Sequence, residues 1–175
     1  MKQILFNPFR TIGGTKALWI GWVIMLITAG VSIYSRCHFD GALDVHVGQN
    51  TTEIVYFLEP LVNWSVLTLI FYITGLLLST SAIRWIDYAG TVALARYPYL
   101  LAALIAFAVP TIDPGSLMNI PDMDTSTLVS LMITSILLLL VSIWMIMLLY
   151  RAFTISGNLR GRRAVWGFII ALLIS

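Results

Sequence analysis

The chain has 175 residues, of which 59% are hydrophobic and 10% charged, with a mean hydropathy of +0.94 and a formal charge of +2. That composition excludes an ordinary water-soluble domain, and the basic residues are too dispersed to form a nucleic-acid footprint. Cys37 is the only cysteine, which excludes an internal disulfide and a thiol-based metal cluster within one chain.

Residues 1–16 mix Ile4, Leu5, Phe6, Phe9 and Ile12 with Lys2, Arg10 and Lys16, a pattern suited to a segment lying among lipid headgroups. Pro8 restricts helix there, and Gly13 and Gly14 offer a hinge. A first span is expected at 17–34, with Trp19, Trp22 and Tyr34 placed for the interfaces. The long basic leader and the poor cleavage site at Ser32–Cys37 argue for an uncleaved span rather than a signal peptide. The polar loop 35–60 carries His38, Asp40, Asp44, His46, Glu53 and Glu59. A second span is expected at 61–83. The stretch RWIDYAGTVALAR, 84–96, then reads as a connection pressed on the membrane surface, where Arg84 and Asp87 can pair on a helix.

The third span is expected at 97–112, with Pro98 in its first turn. Pro114, Gly115 and Pro121 with three aspartates make 113–126 an irregular loop, and Asp124 or Thr125 is expected to cap a fourth span at 127–150. Arg151, Arg160, Arg162 and Arg163 precede a last apolar run, 164–175. As a helix that run is about 18 Å long and cannot cross a bilayer core of about 30 Å. It is therefore expected to insert partway or to continue past Ser175 in the natural chain, the second being preferred. Residues 1–175 thus read as one domain, an all-α integral membrane bundle of about five transmembrane helices. β-Barrel strands are excluded because the runs are apolar on every face.

Charge placement gives the orientation. Lys2, Arg10, Lys16, Arg84, Arg96, Arg151, Arg160, Arg162 and Arg163 fall on one side of this topology, and only Arg36 on the other. That other side holds Asp40, Asp44, Glu53, Glu59, Asp113, Asp122 and Asp124. Short basic loops stay in the cytoplasm, so the N-terminus is expected there.

Three stretches carry a family resemblance. YRAFTISGNLRGRRAVWGFIIALL, 150–173, is similar to the end of the Yip domain, where a small-residue and arginine loop separates the last two spans. STSAIRWIDYAGTVALARYPYLLAALIA, 79–106, resembles that domain's second-to-third connection, and NPFRTI, 7–12, resembles the N-terminal lead of bacterial members. The resemblance implies a five-span protein of a bacterial cytoplasmic membrane, with a membrane-shaping or trafficking role in eukaryotic relatives. It supplies no catalytic residue. The chain lacks the long polar N-terminal region of those relatives and a clear double glycine in the second-to-third loop, so a Rab-binding role is not carried over.

No phosphate loop, His-Glu-x-x-His pair or nucleophile elbow is present. The expected spans contain no ionisable residue, which argues against ion-coupled transport and intramembrane hydrolysis. Their serines and threonines fit interhelical hydrogen bonds, and Gly75 to Ser79 and Ala102 to Ala106 have the spacing of close helix contacts. His38-Phe-Asp40 and Asp44-Val-His46 form a near-mirrored pair whose side chains are of the types a divalent metal accepts, against the plainer reading of a solvated acidic loop. Asn50 and Asn63 head glycosylation sequons that count only in a eukaryotic host. Arg160, Arg162 and Arg163 enforce topology and can hold anionic headgroups.

The leading expectation is a non-enzymatic membrane scaffold without a cofactor, whose partners are membrane lipids and another membrane protein or a second copy. A channel or transporter component and a metal-dependent outer-face enzyme are the alternatives.

Overall fold

Six helices make up most of the described chain in the computed structural model, which describes residues 5–48, 51–110 and 124–175. Helices α1 (Gly14–Ser35), α2 (Glu53–Leu78) and α5 (Thr125–Ser156) are each long and apolar enough to cross a membrane. So is the tandem of α3 (Trp85–Ala95) and α4 (Pro98–Ala106), which runs as one span, Trp85–Ala106. Helix α6 (Gly161–Ile174) packs on α2 and α5. Strands β1 (Cys37–His38) and β2 (His46–Val47) pair antiparallel, Cys37 opposite Val47 and His38 opposite His46. The protein is an all-α integral membrane bundle.

Both ends of α2 depart from expectation. Helix α2 starts at Glu53 rather than Leu61, so the acidic end of the expected loop 35–60 is helical. An acid in the first turn is favourable at a helix N-terminus, and the helix runs through Pro60 at the cost of the bond to the Tyr56 carbonyl and of crowding between that carbonyl and the proline ring. The helix ends at Leu78, where the Ser79 N–H donates to the Gly75 carbonyl at 2.8 Å.

The larger correction concerns 84–96. Instead of a surface connection it forms α3, the first half of the third span, 72% of which is buried inside the protein against 22–33% for the other spans. The cause is the small size of Ala89, Gly90, Ala93 and Ala95, which lets neighbouring backbones close on them. A Cβ on Gly21 would stand 2.5 Å from the Ala93 carbonyl carbon, and one on Gly90 would stand 3.0 Å from the Leu18 nitrogen. Helices α1 and α3 therefore cross backbone to backbone. Of the spacings noted in the sequence, Gly75 closes on Tyr88 and Ala102 and Ala106 are buried, whereas Ser79 is only half-buried and ends its helix.

Polar contacts fix this central span. The Trp64 indole donates to the Ala89 carbonyl at 2.9 Å, the Thr91 and Ser156 hydroxyls meet at 2.8 Å, and Ser156 donates to the Asp87 carbonyl at 3.1 Å. Arg84 and Asp87 form the expected pair, with both nitrogen-to-oxygen distances at 2.9 Å. The N-terminal segment is clipped to the bundle rather than lying free among headgroups. The Leu5 carbonyl accepts from the Trp144 indole at 3.0 Å and from the Tyr97 hydroxyl, and Phe9 is buried.

Moving 84–96 into the bundle takes Asp87 and Arg96 with it, and α2 takes in Glu53 and Glu59, so the expectation of spans without ionisable residues does not hold. The orientation keeps its sign on Lys2, Arg10, Lys16, Arg84, Arg151, Arg160, Arg162 and Arg163 against Arg36. Helix α4 ends at Ala106, short of the expected 112, and α5 runs past Tyr150 and Arg151 to Ser156; residues 111–112 and most of the loop 113–126 lie outside the described residues. Within that loop, Asp124 stands at the N-cap of α5 without a side-chain capping bond.

Candidate functional site

The acidic end of the bundle is closed by the hairpin. Arg36 adopts a left-handed backbone (φ 56°) that stops α1 and turns the chain into β1. One carboxylate makes two of the bonds that hold the hairpin. Glu59 Oε1 lies 2.8 Å from His38 Nδ1, and Glu59 Oε2 accepts the Phe39 N–H at 3.0 Å. Asn63, one turn further along α2, donates to the Phe39 carbonyl. The His38 ring is buried between Tyr56 and His46, at centroid distances of 4.6 and 5.4 Å. Because Nδ1 donates to Glu59, the neutral tautomer of His38 leaves Nε2 as its acceptor.

The four residues expected as metal ligands therefore separate. Asp40, Asp44 and His46 come together, exposed, with ligand atoms within 4.8 Å of one another. His46 Nδ1 is 3.6 Å from Asp40 and 3.5 Å from Asp44. His38 does not join them, because Glu59 holds it on the buried side. Three ligands leave positions for water on a small divalent ion. If this group binds Zn2+, His46→Ala is expected to weaken uptake at least about tenfold while His38→Ala leaves the ligand set whole. Affinity should fall on acidification, since ligation needs a neutral imidazole and ionised carboxylates. Calorimetry giving equal uptake for wild type and His46→Ala would dispose of the site.

Cys37 is completely buried, and its thiol is pushed up to about 12, first by burial and then by the nearby Glu59 charge. The thiolate is the reactive form, so this cysteine stays inert across neutral pH. In intact cells a soluble maleimide is expected to label Cys37 roughly a hundredfold more slowly than an Arg36→Cys reporter in a Cys37→Ala background, because only local opening exposes the thiol. Raising the pH from about 7 to 9 should not close the gap, since the raised value keeps the folded thiol protonated over that range. Labelling of the position-36 reporter from outside and of Asn158→Cys only from inside would check the topology. Fast reaction of Cys37 itself would contradict its burial.

Below the hairpin lies a feature the sequence reading missed. Phe39 stacks on Tyr99 at 4.3 Å, and the Tyr99 hydroxyl donates to the Ala42 carbonyl at 3.1 Å, so the loop is pinned to the first turn of α4. Beside Tyr99 sits Arg96, 2% exposed, its guanidinium carbon 5.1 Å from the Tyr99 ring centre. Among the described residues none of its three guanidinium nitrogens has a hydrogen-bond partner. It stands where Pro98 breaks the span, since proline cannot supply the next helical N–H and the Arg96 and Tyr97 amides turn back to Ala93 and Leu94. Two signals pointed here. Tyr56, Glu59 and Asn63 have the 3–4 spacing of one helix face, and Arg96 is a lone charge between apolar runs.

At the other end, Arg160 is the N-cap of α6 and Arg162 and Arg163 lie in its first turn, all exposed. No acidic residue stands in that turn. Cations at a helix N-terminus oppose the helix dipole, so helix stability does not account for them.

Compared with known protein families, characterised proteins and solved structures, the chain matches none.

Proposed function

We propose that the chain is a non-enzymatic membrane scaffold that organises its surroundings through lipid and partner contacts. The observation that carries this is the distribution of burial: one small-residue span is enclosed, while the three around it turn most of their apolar surface outward. Surface of that kind serves lipid tails and partner helices. The Yip-like stretches support a place in that family, the lead at 7–12 supports a bacterial cytoplasmic membrane, and the charge pattern supports a cytoplasmic N-terminus. Protein-containing vesicles are expected to hold ion and small-anion gradients as well as protein-free ones, and protein-dependent flux would overturn the reading.

Arg96 favours a second reading, a transporter or channel component. A buried charge at a broken transmembrane helix is a recurring feature of solute sites. Anion flux that is present in wild type and lost in Arg96→Leu would establish it.

A further inference from the structure

We propose that the groove between α2 and α6 holds one anionic phospholipid of the cytoplasmic leaflet, its headgroup on Arg162 and Arg163 and an acyl chain along the apolar walls. The groove has a volume of about 650 Å³, inside the roughly 300–1,000 Å³ range of specific small-molecule sites. Its walls are Ile73 and Leu77 from α2 and Ile170 and Ile174 from α6, all exposed. Its floor is set where the Leu78 side chain packs onto Gly167. The aromatic contacts Phe71–Phe168 at 5.7 Å and Tyr150–Phe168 at 5.3 Å hold α6 in place, so the groove is part of the fold.

Charge and length select the occupant. The groove is apolar except at its basic end, where both arginines are exposed and, among the described residues, no carboxylate pairs with them. Asp87, the one acid on that side, is already held by Arg84. A planar guanidinium pairs with phosphate oxygens two at a time, so two adjacent arginines suit a phosphodiester better than a diffuse surface charge. From Arg162 to Ile174 the helix advances about 18 Å, close to one leaflet's share of a hydrocarbon core of about 30 Å. A lipid anchored at the rim thus runs its chain the length of the groove. A partner helix would gain nothing from the unpaired rim charges unless it brought acids.

The inference deepens the scaffold reading and rests on it for the role of the bound lipid. The test uses the full chain in nanodiscs of phosphatidylcholine doped with phosphatidylglycerol, read by native mass spectrometry of retained lipid. In Arg162→Gln/Arg163→Gln, phosphatidylglycerol affinity is expected to fall about fivefold for each arginine lost, with phosphatidylcholine occupancy unchanged. Lys16→Gln/Arg151→Gln, which removes two exposed charges away from the groove, should leave it intact. Ile170→Trp, or Ile73→Trp from the opposite wall, fills the groove from an outward-facing position and should displace the lipid without disturbing the packed face. An equal fall in the Lys16/Arg151 variant, lipid retained in both tryptophan variants, or a dimer that those variants dissolve would each overturn the proposal. Flux in matched vesicles separates the two claims. Flux with lipid retained sinks the scaffold reading and leaves the groove, whereas a wild-type protein with neither flux nor preference for phosphatidylglycerol over phosphatidylcholine does the reverse.

Discussion

Arg96→Leu is expected to make the protein more stable while removing any activity that depends on a buried charge. The guanidinium is fully enclosed and lacks hydrogen-bond partners among the described residues; its one favourable neighbour is the Tyr99 ring at 5.1 Å. A cation–π contact contributes about 2 kcal/mol when desolvated, less than the several kcal/mol needed to strip a charge of water. Replacing buried charges by apolar side chains of similar size has stabilised other proteins by about 1–4 kcal/mol. In a chain of this size each kcal/mol moves the unfolding midpoint by roughly 2–4 °C. Arg96→Lys should fall between the two, because lysine can shed its proton in an apolar site and arginine cannot. Thermal unfolding of the three proteins in one detergent decides it. A leucine variant that melts lower than wild type would contradict a guanidinium buried without hydrogen-bond partners.

The opposite outcome is expected at Gly90, whose replacement by leucine should abolish the folded bundle. A Cβ there would run into the Gly14 carbonyl oxygen and stand 3.2 Å from the Ala17 Cβ, and Gly21 meets the α3 backbone on the same seam. Overpacking that a side chain can absorb costs about 1–3 kcal/mol; here backbone stands on both sides, so Gly90→Ala alone should lose about 3 kcal/mol or more. Gly30 is the control, since nothing lies within 4 Å of where its Cβ would be. Gly30→Ala should be neutral or gain up to about 1 kcal/mol from helix propensity. Reversible unfolding in mixed micelles can rank all three. Gly90→Ala as stable as wild type would show that the helices do not approach this closely.

The apolar runs alone made the class legible, because a bilayer demands about 20 apolar residues whatever their identity. Where the spans begin and end was less legible. Ending a span at a charge or proline, as at Leu61 and Tyr97, is a sound rule for lipid-facing helices. It failed at Pro60, which the helix absorbs, and at Arg96, which neighbouring helices shield from lipid. Such shielding is a tertiary fact that local pattern cannot carry. The same holds for the hairpin. The mirrored His and Asp residues were visible, but Glu59, which separates His38 from the rest, lay 21 positions from it. Arg160, Arg162 and Arg163 were legible as a cluster, while the groove beside two of them needed α2 and α6 to meet.

The enclosed third span also bears on how the protein enters its membrane. It is the least apolar of the four by mean hydropathy and carries a charge near its middle, which the insertion machinery penalises by about 2.5–3.5 kcal/mol. Alone it would be a reluctant guest in lipid. Helices α1 and α2 emerge from the ribosome first and supply two of the surfaces that enclose it, so the order of the helices along the chain is also a workable order of assembly.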